Sequence, residues 1–117
     1  MKSAHVPRRV VSCAAALVLV VCSLGPSAAA CVRKPTTHTV TIDATRFEPA
    51  VLTVTAGDTV VWINKDIIPH TATSQTGLFD SGALATGQSF RYTPQQTGEL
   101  AYLCTFHPTM RATLIVK

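Results

Sequence analysis

The chain has 117 residues, of which 47% are hydrophobic and 14% charged, with four Cys, four His and one Trp. So few charges among so many apolar residues exclude a disordered polyelectrolyte and predict one compact domain. The formal charge of +4 points towards a polyanion, but Lys2, Arg8 and Arg9 all stand ahead of an apolar run from Val10 to Leu24. That run is followed by the break Gly25-Pro26 and the small residues Ser27-Ala28-Ala29-Ala30 before Cys31. The order predicts a signal peptide over residues 1–30. It is shorter than the roughly 20 apolar residues that span a bilayer, which argues against a retained anchor. Two maturation routes stay open at this point. Ordinary cleavage after Ala30 is one; the other is a lipoprotein route in which Cys31 is acylated and tethers the protein to a membrane. For the latter, Ala28 stands where such motifs usually carry Leu. Arg8-Arg9 fits an ordinary basic leader better than a twin-arginine signal.

Residues 31–117 carry seven cations and six acids, which removes the electrostatic case for nucleic acid. Cys13 and Cys22 leave with the leader, so only Cys31 and Cys104 remain and no disulfide framework is expected. A chain this short needs another source of stability, and a bound metal would supply one.

Residues 31–37 lack periodicity and read as a short tether to a domain spanning 38–117. From His38 onward, short segments with period-two alternation are separated by turn residues, as in an antiparallel sandwich. Val40 and Ile42 share one face, as do Leu52 and Val54. After the turn at Ala56-Gly57-Asp58, Val60, Trp62 and Asn64 line one face and Val61 and Ile63 the other. The theme returns with Phe90 and Tyr92, with Leu100, Tyr102 and Cys104, and with Ala112, Leu114 and Val116. β-Branched and aromatic residues dominate, and no stretch of ten or more has a helical period. The expected fold is all-β: a two-sheet Greek-key sandwich of seven or eight strands.

One segment carries chemistry. Cys104-Thr105-Phe106-His107-Pro108-Thr109-Met110 has the spacing Cys-x2-His-x2-Met between two strands, and Pro69-His70 lies far upstream. A thiolate, two imidazoles and a thioether form an unusual donor set. Imidazole accepts zinc, nickel, copper or iron, whereas thiolate with thioether selects copper, above all where Cu(I) and Cu(II) must both be held. Zinc has little use for Met110. Cys104 ends a strand whose inward residues are Leu100 and Tyr102, so the following loop folds His107 and Met110 over its sulfur. With His70 arriving from elsewhere, the scaffold imposes the site, and low reorganisation suits electron transfer.

These residues resemble the cupredoxins, the small blue copper proteins, and most closely their amicyanin and plastocyanin branch. The resemblance runs from Phe47-Glu48-Pro49 through Ala56-Gly57-Asp58-Thr59-Val60, Trp62-Ile63-Asn64, Pro69-His70-Thr71 and Phe79-Asp80-Ser81-Gly82 to the Cys104–Met110 loop. It implies a single type 1 copper with His70, Cys104 and His107 as strong ligands and Met110 as the weak axial one. It also implies that Asn64 braces the ligand loop by pairing with Thr105. Phe106 departs from the Pro that the branch usually carries between Cys and His; its N–H is expected to donate to the Cys104 sulfur and raise the reduction potential. His38, without a partner motif, reads as a solvated histidine.

The leading expectation is a non-enzymatic, monomeric, exported one-electron carrier, soluble or tethered through Cys31. Redox proteins of cytochrome or dehydrogenase type would dock near His107, on an apolar patch formed by Phe106, Pro108, Pro69 and Leu78. The alternative is an envelope copper carrier or buffer with no dedicated redox partner. A copper oxidase or nitrite reductase needs further clustered histidines, which residues 31–117 do not supply.

Overall fold

The computed structural model describes Gly25 and residues 31–117, so the leader assigned to residues 1–30 lies, apart from Gly25, outside the described residues. The folded unit is Val32–Lys117. No helix among the described residues is long and apolar enough to cross a membrane.

Alternation of buried and exposed side chains produces eight strands: β1 (Thr37–Asp43), β2 (Arg46–Glu48), β3 (Val51–Val54), β4 (Thr59–Asn64), β5 (Thr73–Ser74), β6 (Ser89–Tyr92), β7 (Gly98–Leu103) and β8 (Arg111–Val116). They form two four-stranded sheets, in the orders β2-β1-β4-β6 and β3-β8-β7-β5. The expected sandwich is therefore present. Its sheets are mixed, however, where wholly antiparallel pairing was expected: β1 runs parallel to β4 and β3 parallel to β8. The reason lies in the connections. β2 and β3 are consecutive but belong to opposite sheets, so the chain crosses over between β1 and β4 and re-enters beside β1 in the same direction.

Every inward position read from the alternation is buried or packed against the core, including Val40, Ile42, Val60, Trp62, Leu114 and Val116. Trp62 sits at the centre, its ring 5.1 Å from Phe79, 5.8 Å from Phe90 and 5.5 Å from Tyr102. Fully burying each such side chain contributes on the order of 1.5–3 kcal/mol, which is where so small a domain finds its cohesion.

The two ends of the sandwich differ. Where β4 begins, Gly57 takes φ 92°, a conformation open to glycine at little cost, and donates its N–H to the Pro94 carbonyl at 2.8 Å. This turn presents Asp58, which is 2% exposed. Its carboxylate accepts from the N–H groups of Thr36 at 2.9 Å and Thr55 at 3.1 Å, meets His38 Nε2 at 3.0 Å and pairs with Arg33. His38 is thus not simply solvated, and part of the 31–37 segment is fastened to the domain. The other end, where β4 and β7 finish and β8 starts, carries the thiol, imidazole and thioether side chains that the sequence analysis singled out.

Candidate metal centre

Cys104 follows β7 and is fully buried. Three backbone bonds coil the next residues into a compact loop: His107 N–H to the Cys104 carbonyl at 3.3 Å, Met110 N–H to the His107 carbonyl at 2.8 Å, and Cys104 N–H to the Met110 carbonyl at 3.0 Å. The loop leaves Met110 buried, at 5% exposure, and His107 half-buried at the rim. His70 comes from the long connection after β4. It is clamped by reciprocal backbone bonds with Leu84, at 3.1 and 2.8 Å, and its ring is wholly buried.

The ligand atoms of His70, Cys104 and His107 lie within 4.8 Å of one another. Cys104 Sγ is 3.7 Å from His70 Nδ1 and 3.7 Å from His107 Nδ1. Three N/S donors placed about 2.0–2.3 Å from a central ion at 120° would be separated by about 3.7 Å from sulfur to nitrogen. The side chains therefore fit a trigonal site, and the soft sulfur of Cys104 with two imidazoles and a thioether at hand fits copper.

The groups surrounding the donors differ from expectation in two respects. Asn64, fully buried, does not pair with Thr105. Its Nδ2 donates to the carbonyls of Ile68 at 2.9 Å and Leu84 at 2.8 Å, and its Oδ1 accepts from Asp66 N–H at 2.9 Å. It thus braces the segment that carries His70. Thr71 takes the predicted role instead: its hydroxyl accepts the Thr105 N–H at 2.8 Å and lies 3.1 Å from Thr105 Oγ1. The second difference concerns the thiol. The donor to Cys104 Sγ is the Thr71 N–H at 3.3 Å; no bond from the Phe106 N–H to that sulfur is present among the described residues. Thr71 follows His70 in the connection between β4 and β5, so the segment that brings one imidazole to the sulfur also brings the N–H that donates to it.

Asp66 is a residue that the sequence reading missed. Its Oδ2 stands 3.0 Å from His70 Nε2, the ring nitrogen facing away from Cys104, and also accepts the Thr45 N–H at 2.9 Å. The Thr45 N–H, and after it the His70 ring, hold the Asp66 carboxyl below the usual carboxylate range. The only sequence cue was the Asp-x3-His spacing, which has a meaning on a helix and none in a loop.

On the segment leading to His70, Ile67 is 89% and Ile68 38% exposed and Pro69 is open; on the ligand loop, Phe106 is 53% exposed and Pro108 is open. Leu78 lies elsewhere, lining a cleft of about 320 Å³ with Tyr92 and Leu100. Among the described residues Cys31 and Cys104 are free thiols, the former exposed.

Comparison with known proteins agrees with this geometry. The cupredoxin-like domain family matches residues 12–116. The chain is 31% identical over 81 residues to an amicyanin of Paracoccus versutus, covering 65% of this chain and 61% of that protein. To an amicyanin of Paracoccus denitrificans it is 34% identical over 77 residues, covering 62% and 59%. The chain thus spans about three fifths of the length of these relatives. Among solved structures, a purple cupredoxin from Nitrosopumilus maritimus superposes with a TM-score of 0.63 at 30% identity, over 68% of this chain and 98% of that one. With its two mixed sheets and its buried thiol between two imidazoles, the chain belongs to the cupredoxin-like family.

Proposed function

We propose that this protein is an exported one-electron carrier whose single copper ion is held by His70, Cys104, His107 and, more weakly, Met110. The observation that carries the reading is the triangle of Cys104 Sγ and the two Nδ1 atoms, with sulfur-to-nitrogen edges of 3.7 Å, built by backbone bonds that do not depend on the metal. Copper bound there would supply a Cu(II)/Cu(I) couple. The protein's part is to keep the donors where they are in both states. His70 is locked by Leu84, Cys104 by its own loop and the Thr71 N–H, and burial excludes water from the sulfur.

His107 is the donor nearest solvent, and the two segments that supply donors expose Ile67 and Ile68 ahead of His70 and Phe106 next to His107, which together we take as an apolar collar. A collar of this kind suits brief docking of a redox protein, donor or acceptor, because apolar contact desolvates easily and separates again. The proposed site of action is outside the cytoplasm, in the periplasm or cell envelope. The leader-like residues 1–30 and the exposed Cys31, as a lipid-bearing or simply exposed terminus, support that placement. The carrier role, as against copper delivery, is favoured by the burial of Cys104, which leaves little for an acceptor's thiols to attack.

The test is to mix the Cu(I)-loaded protein with an oxidised cytochrome c. Electron exchange at the 10⁵–10⁷ M⁻¹s⁻¹ order typical of protein encounters is expected, slowed by Phe106→Asp. Absence of exchange, together with copper passing to a metal-free acceptor, would establish the delivery role instead.

A further inference from the structure

We propose that Asp66 is a positioning residue for the metal centre: its carboxylate holds the proton of His70 on Nε2, turns the Nδ1 lone pair towards Cys104, and by its negative charge biases a bound copper towards the higher oxidation state. The copper arm of this inference rests on the function proposed above; the tautomer arm rests on the protein alone.

Asp66 Oδ2 accepts from the Thr45 backbone at 2.9 Å and stands 3.0 Å from His70 Nε2, while Oδ1 accepts the Ile67 N–H at 2.7 Å. A carboxylate can only accept, so the His70 nitrogen facing it must be the one that bears hydrogen. The other nitrogen, Nδ1, then points its lone pair at the space shared with Cys104 Sγ 3.7 Å away. The pair is shielded: the His70 side chain is 0% and the Asp66 side chain 12% exposed, so solvent screens their interaction weakly. A carboxylate on the far nitrogen makes an imidazole a stronger electron donor, the arrangement that orients and tunes histidine ligands in metal sites. A stronger donor and a nearby negative charge both favour Cu(II) over Cu(I). His107 has no such partner among the described residues, so the two imidazoles are unequal.

The carboxylate is itself fixed from a distance. Ala44 and Thr45 form the turn between β1 and β2 with φ of 46° and 58°, a left-handed conformation that non-glycine residues adopt at some cost. The Thr45 N–H bond to Asp66 is what this turn contributes to the site, and the Thr86 hydroxyl secures the same residue by donating to its carbonyl at 2.7 Å.

Two measurements test the proposal. In the metal-free protein, nitrogen-15 NMR of the imidazoles should show the His70 proton on Nε2, exchanging slowly with water, and Asp66→Ala should lose that slow exchange. An Nε2 without a proton, or one whose exchange is unchanged in Asp66→Ala, overturns the positioning role. The wild-type spectrum decides this even if the variant does not fold. In the copper-loaded protein, Asp66→Asn keeps an acceptor oxygen but removes the charge, and the reduction potential should rise while the visible absorption of the centre persists. An unmoved or lowered potential overturns the charge effect. Failure of the wild type to bind copper would sink the proposed function and leave the tautomer result standing.

Discussion

Thr71 shows how much one side chain can do beside a buried thiol. Its backbone N–H donates to Cys104 Sγ, and its hydroxyl receives the Thr105 N–H, so a single residue holds both the sulfur and the first residue of the ligand loop. Replacing it by valine keeps the shape and the N–H but deletes the acceptor. Thr71→Val should therefore destabilise the fold by about 1–2 kcal/mol, the usual consequence of stranding one donor, while the donation to sulfur survives. Urea titration would check this; an unchanged midpoint would mean that solvent replaces the hydroxyl freely. Cys104 and His107 were legible in the sequence because a thiol, an imidazole and a thioether at fixed spacing have few other uses. The partner of Thr105 was not legible: Thr71 lies 34 residues away, and an unremarkable threonine gives no sign of what faces it.

At the scale of elements, the connection between β4 and β5 positions His70, and Asn64 at the end of β4 organises it. Three bonds from one amide, to Ile68, Leu84 and Asp66, take the place of a regular ladder in this stretch. Asn64→Ala should cost about 2 kcal/mol or more, since it removes the donor to the Ile68 and Leu84 carbonyls together with the acceptor of the Asp66 N–H, and loosens the segment bearing His70. Its measurable consequence is weaker copper retention against a chelator as well as a lower unfolding midpoint; a loss of stability with retention unchanged would show that His70 is held by Leu84 alone. The core-facing side was readable, because Val60, Trp62 and Asn64 are all fully buried, although Val61 on the opposite face is buried too. Parallel pairing of β1 with β4 was not, since alternation assigns faces and says nothing about which strand lies alongside or in which direction. The inward amide of Asn64 could be singled out as needing partners, but the backbone carbonyls that satisfy it belong to irregular loops with no pattern to read.

The whole molecule is fastened at two ends by different chemistry, with the aromatic core around Trp62 between them. At the end away from the donors, Asp58 draws together Arg33, Thr36, His38 and Thr55. The Thr36 N–H foremost, then the His38 ring, the Thr55 N–H and the Arg33 guanidinium, hold its carboxyl well below the ordinary value, against the opposing effect of burial. Because the folded-state pKa is depressed, the stabilisation is complete above the unfolded carboxylate value of about 3.9 and is lost as pH falls through and below it. Thermal stability of the metal-free protein should thus be level in this contribution near neutrality and decline below pH about 4. Asp58→Asn should lower it at neutral pH and flatten that acid decline; an equally steep decline in the variant would assign the acid sensitivity to other groups.

At the opposite end, the proposed function requires a thiolate and two imidazoles to converge on one copper ion. An absorption spectrum of the oxidised, copper-loaded protein tests it most directly. An intense visible band from thiolate-to-copper charge transfer is expected, and it should disappear in Cys104→Ser. A colourless wild-type protein, or a band that survives the loss of that sulfur, would contradict it.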